Sequence, residues 1–291
     1  MTTAEVYKSD CITFLKRAKK KGIKFNLVIG SPPYEDRRTY NIGFKLAGQD
    51  WVDWMAGIIK ACLAVTDGLV AFVVCGKTVK GRYSCTPELL MADLHRAGII
   101  VRRPPLYVRW GIAGSGGKDW LANRYEPIVC CCNTETLPWS DNTACGQPPK
   151  HKPGGQMSYR NVDGERLSKL YPSSRTRNGK RDTNKRYKPP ELANPGNIID
   201  VGAAGGGQLG SKLAHENEAP YPIKIPLTLI KSFCPPGGTV YDPFSGSGTT
   251  AEAAIVTGRN FVGTDIRKSQ VKLTEERIKL ARSRTGFGLN K

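Results

Sequence analysis

Two short stretches of this 291-residue chain put ligand-binding and reactive residue types where a strand ends. The longer is Thr239-Val240-Tyr241-Asp242-Pro243-Phe244-Ser245-Gly246-Ser247-Gly248-Thr249-Thr250, which reads as a strand, a tight Gly-rich turn and a helix N-terminus. Gly246 and Gly248 let the backbone approach a ligand with no Cβ in the way, and open α/β sheets bind ligands at such strand ends. One helix later, Phe261-Val262-Gly263-Thr264-Asp265 ends a second strand in a carboxylate suited to holding two ribose hydroxyls. A phosphate loop would need a Lys before its last Ser/Thr, and Gly248-Thr249-Thr250 has none. A dinucleotide fingerprint would need Gly-x-Gly-x-x-Gly, of which Gly246-x-Gly248 supplies only part. The shorter stretch is Ser31-Pro32-Pro33-Tyr34, where the apolar run Leu27–Ile29 passes into a hydroxyl, two prolines and an aromatic ring. A Pro-Pro loop after a strand is common, so its meaning depends on the first stretch.

Together the two resemble the motif pair of S-adenosylmethionine-dependent DNA amino-methyltransferases. That family carries Asp-Pro-Phe-x-Gly-Ser-Gly-Thr-Thr at the cofactor and Ser/Asp/Asn-Pro-Pro-aromatic at the target base, and both motifs are complete here. The resemblance implies a cofactor site formed by Asp242, Pro243, Phe244, Ser245, Gly246, Ser247, Gly248 and Thr249, with Asp265 on the ribose. Ser9-Asp10-Cys11 resembles the segment whose acid approaches the cofactor adenine, which adds Asp10. Ser31, Pro32, Pro33 and Tyr34 become the catalytic residues. An exocyclic amine is a poor nucleophile because its lone pair is delocalised into the ring. The Ser31 hydroxyl oxygen and the Pro32 carbonyl would accept its two hydrogens and favour the pyramidal form as attack begins, a stabilisation specific to the transition state. Proline fixes φ and so holds that carbonyl. Tyr34 would stack on a base flipped out of the duplex. Transfer is direct, with no covalent intermediate and no metal.

Two further segments carry the resemblance. Asn123–Ile128 is similar to the strand-flanking segment of the target pocket, and His215–Pro222 to a His-Pro-x-Pro-Phe/Tyr-Pro stretch, although Glu216-Asn217-Glu218 departs from it. The catalytic motif comes first, a basic insert next and the cofactor motif last, which is the circularly permuted order of the β class. Ser-Pro-Pro-Tyr is the form typical of N4-methylcytosine enzymes, so cytosine N4 is the favoured target and adenine N6 the alternative. Methylation at cytosine carbon 5 would need a nucleophilic Cys, usually in Pro-Cys, and the chain has only the reversed Cys234-Pro235. An RNA or protein methyltransferase and a non-catalytic DNA-binding protein are the remaining rivals.

The elements that must position these motifs follow from periodicity. Apolar runs at Leu27–Ile29, Leu69–Val74 and Ile128–Cys132 suit buried strands. Asp50–Val65, with Asp50 as N-cap, and Pro87–Ala97 read as amphipathic helices between them. After residue 197 the pattern predicts helices over 225–233, 249–257 and 268–284, and strands over 239–241 and 261–264. This alternation argues for an α/β fold with a mostly parallel sheet flanked by helices and a basic irregular insert, and the resemblance implies that it is a Rossmann-like class I methyltransferase, circularly permuted. The resemblance makes residues 1–136 the catalytic half, 137–196 the basic insert with the target-recognition role, and 197–291 the cofactor half.

The net charge of +19 and pI near 9.6 point to a polyanionic partner, which the resemblance implies is DNA. Residues 150–190 hold twelve Lys/Arg against three Asp/Glu, a local excess of nine. Arg175, Arg177, Lys180, Arg181, Lys185 and Arg186 are its candidate DNA contacts. Glu35–Gly48 could order over the flipped base as a lid, bringing Arg37, Arg38 and Tyr40 onto DNA. Lys16, Arg17, Lys19, Lys20 and Lys21 read as a solvated helix end. The nine cysteines show no zinc spacing and read as reduced, mostly buried thiols. With neither a signal peptide nor a long apolar run, the sequence suggests a soluble cytoplasmic protein, monomer or homodimer, with no membrane and no metal.

Overall fold

A computed structural model describes residues 2–35, 43–110, 119–149, 156–170, 191–203, 211–213 and 220–287. The elements in chain order are β1 (Ala4–Lys8), α1 (Cys11–Lys20), β2 (Phe25–Gly30), α2 (Gly48–Leu63), β3 (Thr66–Val73), β4 (Thr78–Val79), β5 (Arg82–Tyr83), α3 (Thr86–Arg96), β6 (Ile100–Arg102), β7 (Leu106–Trp110), β8 (Tyr125–Cys132), β9 (Gln156–Arg160), β10 (Arg166–Leu170), β11 (Ile198–Ala203), α4 (Lys224–Phe233), β12 (Thr239–Asp242), α5 (Thr249–Val256), β13 (Asn260–Asp265) and α6 (Lys268–Phe287). They form two units: Met1–Asp141 with Gly196–Lys291, and Asn142–Pro195.

The first unit is built on one sheet, in the order β1-β13-β12-β2-β3-β8-β7-β11, with β6 also paired to β8. The run β1 to β3 is parallel throughout. Antiparallel pairing enters only at β8, against β3, β6 and β7, and β11 returns parallel to β7. Residues of a strand alternate between faces, and this chain uses both. Leu27 and Ile29, Ala71 and Val73, Cys130 and Cys132, and Val240 pack under α4, α5 and α6. Val28, Val70 and Phe72, Cys131 and Tyr241 pack under α1, α2 and α3. A sheet covered on both faces needs continuous apolar strands, which explains the three adjacent cysteines: they serve as small hydrophobes on alternate faces. Seven of the nine cysteines are buried, and the nine are free thiols.

Several element boundaries differ from the sequence expectation. Asp50 does not cap α2; the helix begins at Gly48, its N-cap Ala47 makes no side-chain bond, and Asp50 lies in the first turn. α3 begins one residue earlier than Pro87, after Cys85 in a left-handed conformation. The basic residues Lys16, Arg17, Lys19 and Lys20 are exposed along the second half of α1.

The second unit corrects the expectation of an irregular insert over ten residues. β9 and β10 form an antiparallel hairpin with Arg160 opposite Arg166. Its tip is made by Asn161, whose side-chain oxygen accepts from the Asp163 and Glu165 amides at 3.1 and 2.8 Å, with Gly164 at φ 82°. Turn chemistry rather than an apolar face builds this hairpin, so hydrophobic periodicity gave no sign of it. No described helix is long and apolar enough to cross a membrane.

Candidate active site

The parallel strands β1, β13, β12 and β2 end on one edge, and each of these endings contributes to a single place. β12 lies beside β2, with Val240 opposite Leu27 and Tyr241 opposite Val28. That register brings the Gly-rich turn after β12 next to Ser31 after β2. β1 ends beside β13, with Lys8 opposite Asp265 and the Ser9 amide donating to the Asp265 carbonyl at 3.1 Å, so Asp10 joins Asp265. Between them lies a cavity of about 250 Å³ lined by Asp10, Ser31, Pro32, Pro33, Phe244 and Asp265, together with Pro243, Ser245, Gly246, Ser247 and Thr249 of the turn.

The strand endings need small residues. A Cβ on Gly30 would stand 2.7 Å from Asp242 Oδ1, so only Gly lets β2 pass that carboxyl on its way to Ser31. Gly248 sits at φ +76°, and a Cβ there would meet the Thr274 Cα at 3.0 Å. The turn is held from below by α6. The Arg277 side chain is fully buried and donates to the Ser247 carbonyl at 3.3 Å and the Thr249 hydroxyl at 2.9 Å, and its Nε donates to Glu252 at 2.6 Å.

Of the expected cofactor residues, Asp242 and Gly248 do not line the cavity; they shape the turn from behind. Asp242 accepts the Phe244 amide at 2.9 Å and the Thr250 hydroxyl, and Thr250 is bonded in turn to the Tyr221 hydroxyl. Burial is the largest influence on this carboxyl and pushes it up to about 7, against the two hydrogen bonds. The sign of its contribution follows. Its folded pKa lies above the unfolded value of about 3.9, so its stabilisation is complete below about pH 4 and is lost as pH rises through about 7. Relative to Asp242→Asn, the parent should lose unfolding free energy between pH 5 and pH 8. A difference between the two that stays constant over that range would sink the assignment.

Asp265 accepts the Gly246 amide at 3.1 Å and the Arg267 amide at 2.9 Å, tying the two carboxylate-bearing turns together. Burial raises its pKa, while the bonds from Arg267 and Gly246 oppose the rise. Asp10 is the N-cap of α1, accepting from the Thr13 amide at 2.9 Å. Phe44, Trp54 and Phe244 form an aromatic wall, with ring centres 4.9 Å apart for Phe44–Trp54 and 5.9 Å for Trp54–Phe244. Flat apolar surface beside two carboxylates fits an adenine ring carrying a ribose diol.

The Ser31–Tyr34 motif is clamped on both sides. The Trp51 indole donates to the Pro33 carbonyl at 2.9 Å. Glu35 is buried and accepts from the Gly48 amide at 3.0 Å, the Lys77 amide at 2.7 Å, the Ser84 hydroxyl and the Thr86 hydroxyl. Burial alone would raise the Glu35 pKa, but these four bonds leave it lowered. The ends of the expected lid, Glu35 and Gly48, are thus joined directly. Arg37, Arg38 and Tyr40 lie outside the described residues, as do Arg175, Arg177, Lys180, Arg181, Lys185 and Arg186. Tyr34 does not stand free: its hydroxyl donates to Glu126 at 2.8 Å. Sequence reasoning had no signal for Trp51 or Arg277, named Glu35 only as the first residue of the lid, and placed Glu126 only within a flanking segment.

Comparison with known proteins identifies the family. A family model described as DNA methylase (N6/N4) matches residues 25–276. The orphan methyltransferase M.BamHII of Bacillus amyloliquefaciens is 26% identical over 262 residues, covering 87% of this chain and 88% of its own. The DNA adenine methyltransferase YhdJ of Escherichia coli is 21% identical, covering 94% and 81%. Among solved structures, the cytosine-N4-specific PvuII DNA methyltransferase superposes with a TM-score of 0.64 at 17% identity, covering 98% and 93%. A two-motif site at one sheet edge, within a match spanning most of the chain, places the protein in the N6/N4 DNA methylase family of S-adenosylmethionine-dependent enzymes.

Proposed function

We propose that this enzyme methylates N4 of cytosine in DNA, on a base turned out of the duplex. The observation that carries the reading is that Ser31 lines the same cavity as Phe244, Gly246 and Asp265. S-adenosylmethionine supplies an electrophilic methyl group on a sulfonium. Asp265 and Asp10 would hold its ribose and adenine ends, and the Phe244 wall its ring. Ser31 Oγ and the Pro32 carbonyl would accept the two hydrogens of the target amine, localising its lone pair as attack begins. The Trp51 bond to Pro33 keeps the motif in place while this happens. Cytosine is favoured because Ser-Pro-Pro-Tyr is the form typical of N4-methylcytosine enzymes. DNA contact falls to the basic segment 150–190 and to the residues after Tyr34, in keeping with the charge of +19.

The test is incubation with methyl-labelled S-adenosylmethionine and unmethylated DNA, then digestion to nucleosides and mass spectrometry. Label in N4-methylcytosine supports the reading. Label in N6-methyladenine keeps the chemistry and overturns the base.

A further inference from the structure

Glu126 lies in β8 opposite Tyr107 of β7 and is 5% exposed. Both its oxygens are engaged. Oε1 pairs with Arg109 Nη1 at 3.2 Å, and Oε2 accepts the Tyr34 hydroxyl at 2.8 Å. The Tyr34 oxygen in turn receives the Ser31 hydroxyl at 3.4 Å. That last distance is long for O–H···O, as catalytic hydrogen bonds often are before substrate tightens them.

The chain of bonds has a direction. A carboxylate paired to a guanidinium can only accept. Tyr34 must therefore donate to Glu126, which leaves the Tyr34 oxygen as an acceptor for Ser31. Burial, and then the Glu126 charge, hold the Tyr34 hydroxyl well above its ordinary pKa, so it keeps the proton it donates. The single Ser31 hydrogen is drawn toward Tyr34, and the Ser31 lone pairs remain for a ligand. An amine presents hydrogens and needs acceptors; a serine hydrogen aimed at it would oppose binding and attack.

We propose that Glu126, acting through Tyr34, is a positioning residue for methyl transfer: it fixes the polarity of Ser31 so that the hydroxyl meets the target amine as an acceptor. The proposal rests on the role given to Ser31 above. The rival role is structural, with Glu126 serving only as the partner of Arg109 across β7 and β8.

Glu126→Gln separates the two, because it keeps the size of the side chain but adds an N–H₂ donor that lets the chain of bonds reverse. Tyr34→Phe removes the link. The full-length protein is assayed for kcat, for the S-adenosylmethionine KM and for its melting temperature, as the two single variants and the double variant. Glu126→Gln should lower kcat about tenfold or more, leave the cofactor KM within about twofold, and change kcat by less than about twofold when Tyr34 is already Phe. An undiminished Glu126→Gln effect in the Tyr34→Phe background overturns the proposal, as does an unchanged kcat in Glu126→Gln alone. If the parent chain transfers no methyl group to DNA, the Ser31 reading falls and the proposal with it. An active parent with additive effects overturns the proposal alone.

Discussion

Ser31→Ala should reduce kcat for methyl transfer about 10²–10³-fold while leaving the affinity for S-adenosylmethionine nearly unchanged. The magnitude is that of removing one preorganised hydrogen-bonding group from a transition-state site. The split between kcat and affinity follows from position. Ser31 borders the cavity at the end of β2, whereas the surfaces suited to adenine and ribose come from Phe244, Asp10 and Asp265 at the ends of β12, β1 and β13. An interaction made more strongly in the transition state than in the ground state lowers kcat and kcat/KM together. Single-turnover transfer rates, with cofactor binding by calorimetry, measure the two separately. An active Ser31→Ala protein with parental kcat would remove Ser31 from the chemistry. Ser31→Asp should retain activity, since a carboxylate is also an acceptor and requires no partner to set its polarity.

The largest expected effect on stability belongs to Arg277. Its guanidinium is buried beneath the Gly-rich turn, where burial lowers its pKa and Glu252 opposes that fall. Removing one member of a buried ion pair costs about 3–5 kcal/mol, because the other charge is left without compensation. Glu252 also receives Arg284 at 3.1 Å, so Arg277→Met should fall toward the lower end of that range. The double variant Arg277→Met/Glu252→Gln should recover part of the loss, since replacing both partners removes the stranded charge. Urea unfolding gives the values. The same variant should raise the cofactor KM, because Ser247 and Thr249 lose the group that fixes them. A loss below about 1 kcal/mol would mean that Arg284 alone satisfies Glu252, and would place the loss in the ordinary range of surface substitutions.

The two motifs were legible in the sequence because each is contained in about a dozen consecutive residues or fewer. A strand, a Gly-rich turn and a helix start, or a strand and a Pro-Pro loop, are local structures that residue types specify directly. Continuous apolar runs likewise named β2, β3 and β8, since a sheet covered on both faces demands them. Where turn chemistry replaced periodicity, as in β9 and β10, nothing in the apolar pattern marked a strand. Only the tertiary structure set β12 beside β2, so that a turn near residue 246 and a hydroxyl at residue 31 share one cavity. It alone brought Glu126 to Tyr34, Trp51 to Pro33 and Arg277 to the Gly-rich turn. These contacts join residues distant in the chain, and they depend on strand order, register and the direction of buried side chains. Local propensity and period carry none of that information, because they record which face of an element is buried but not what lies against it.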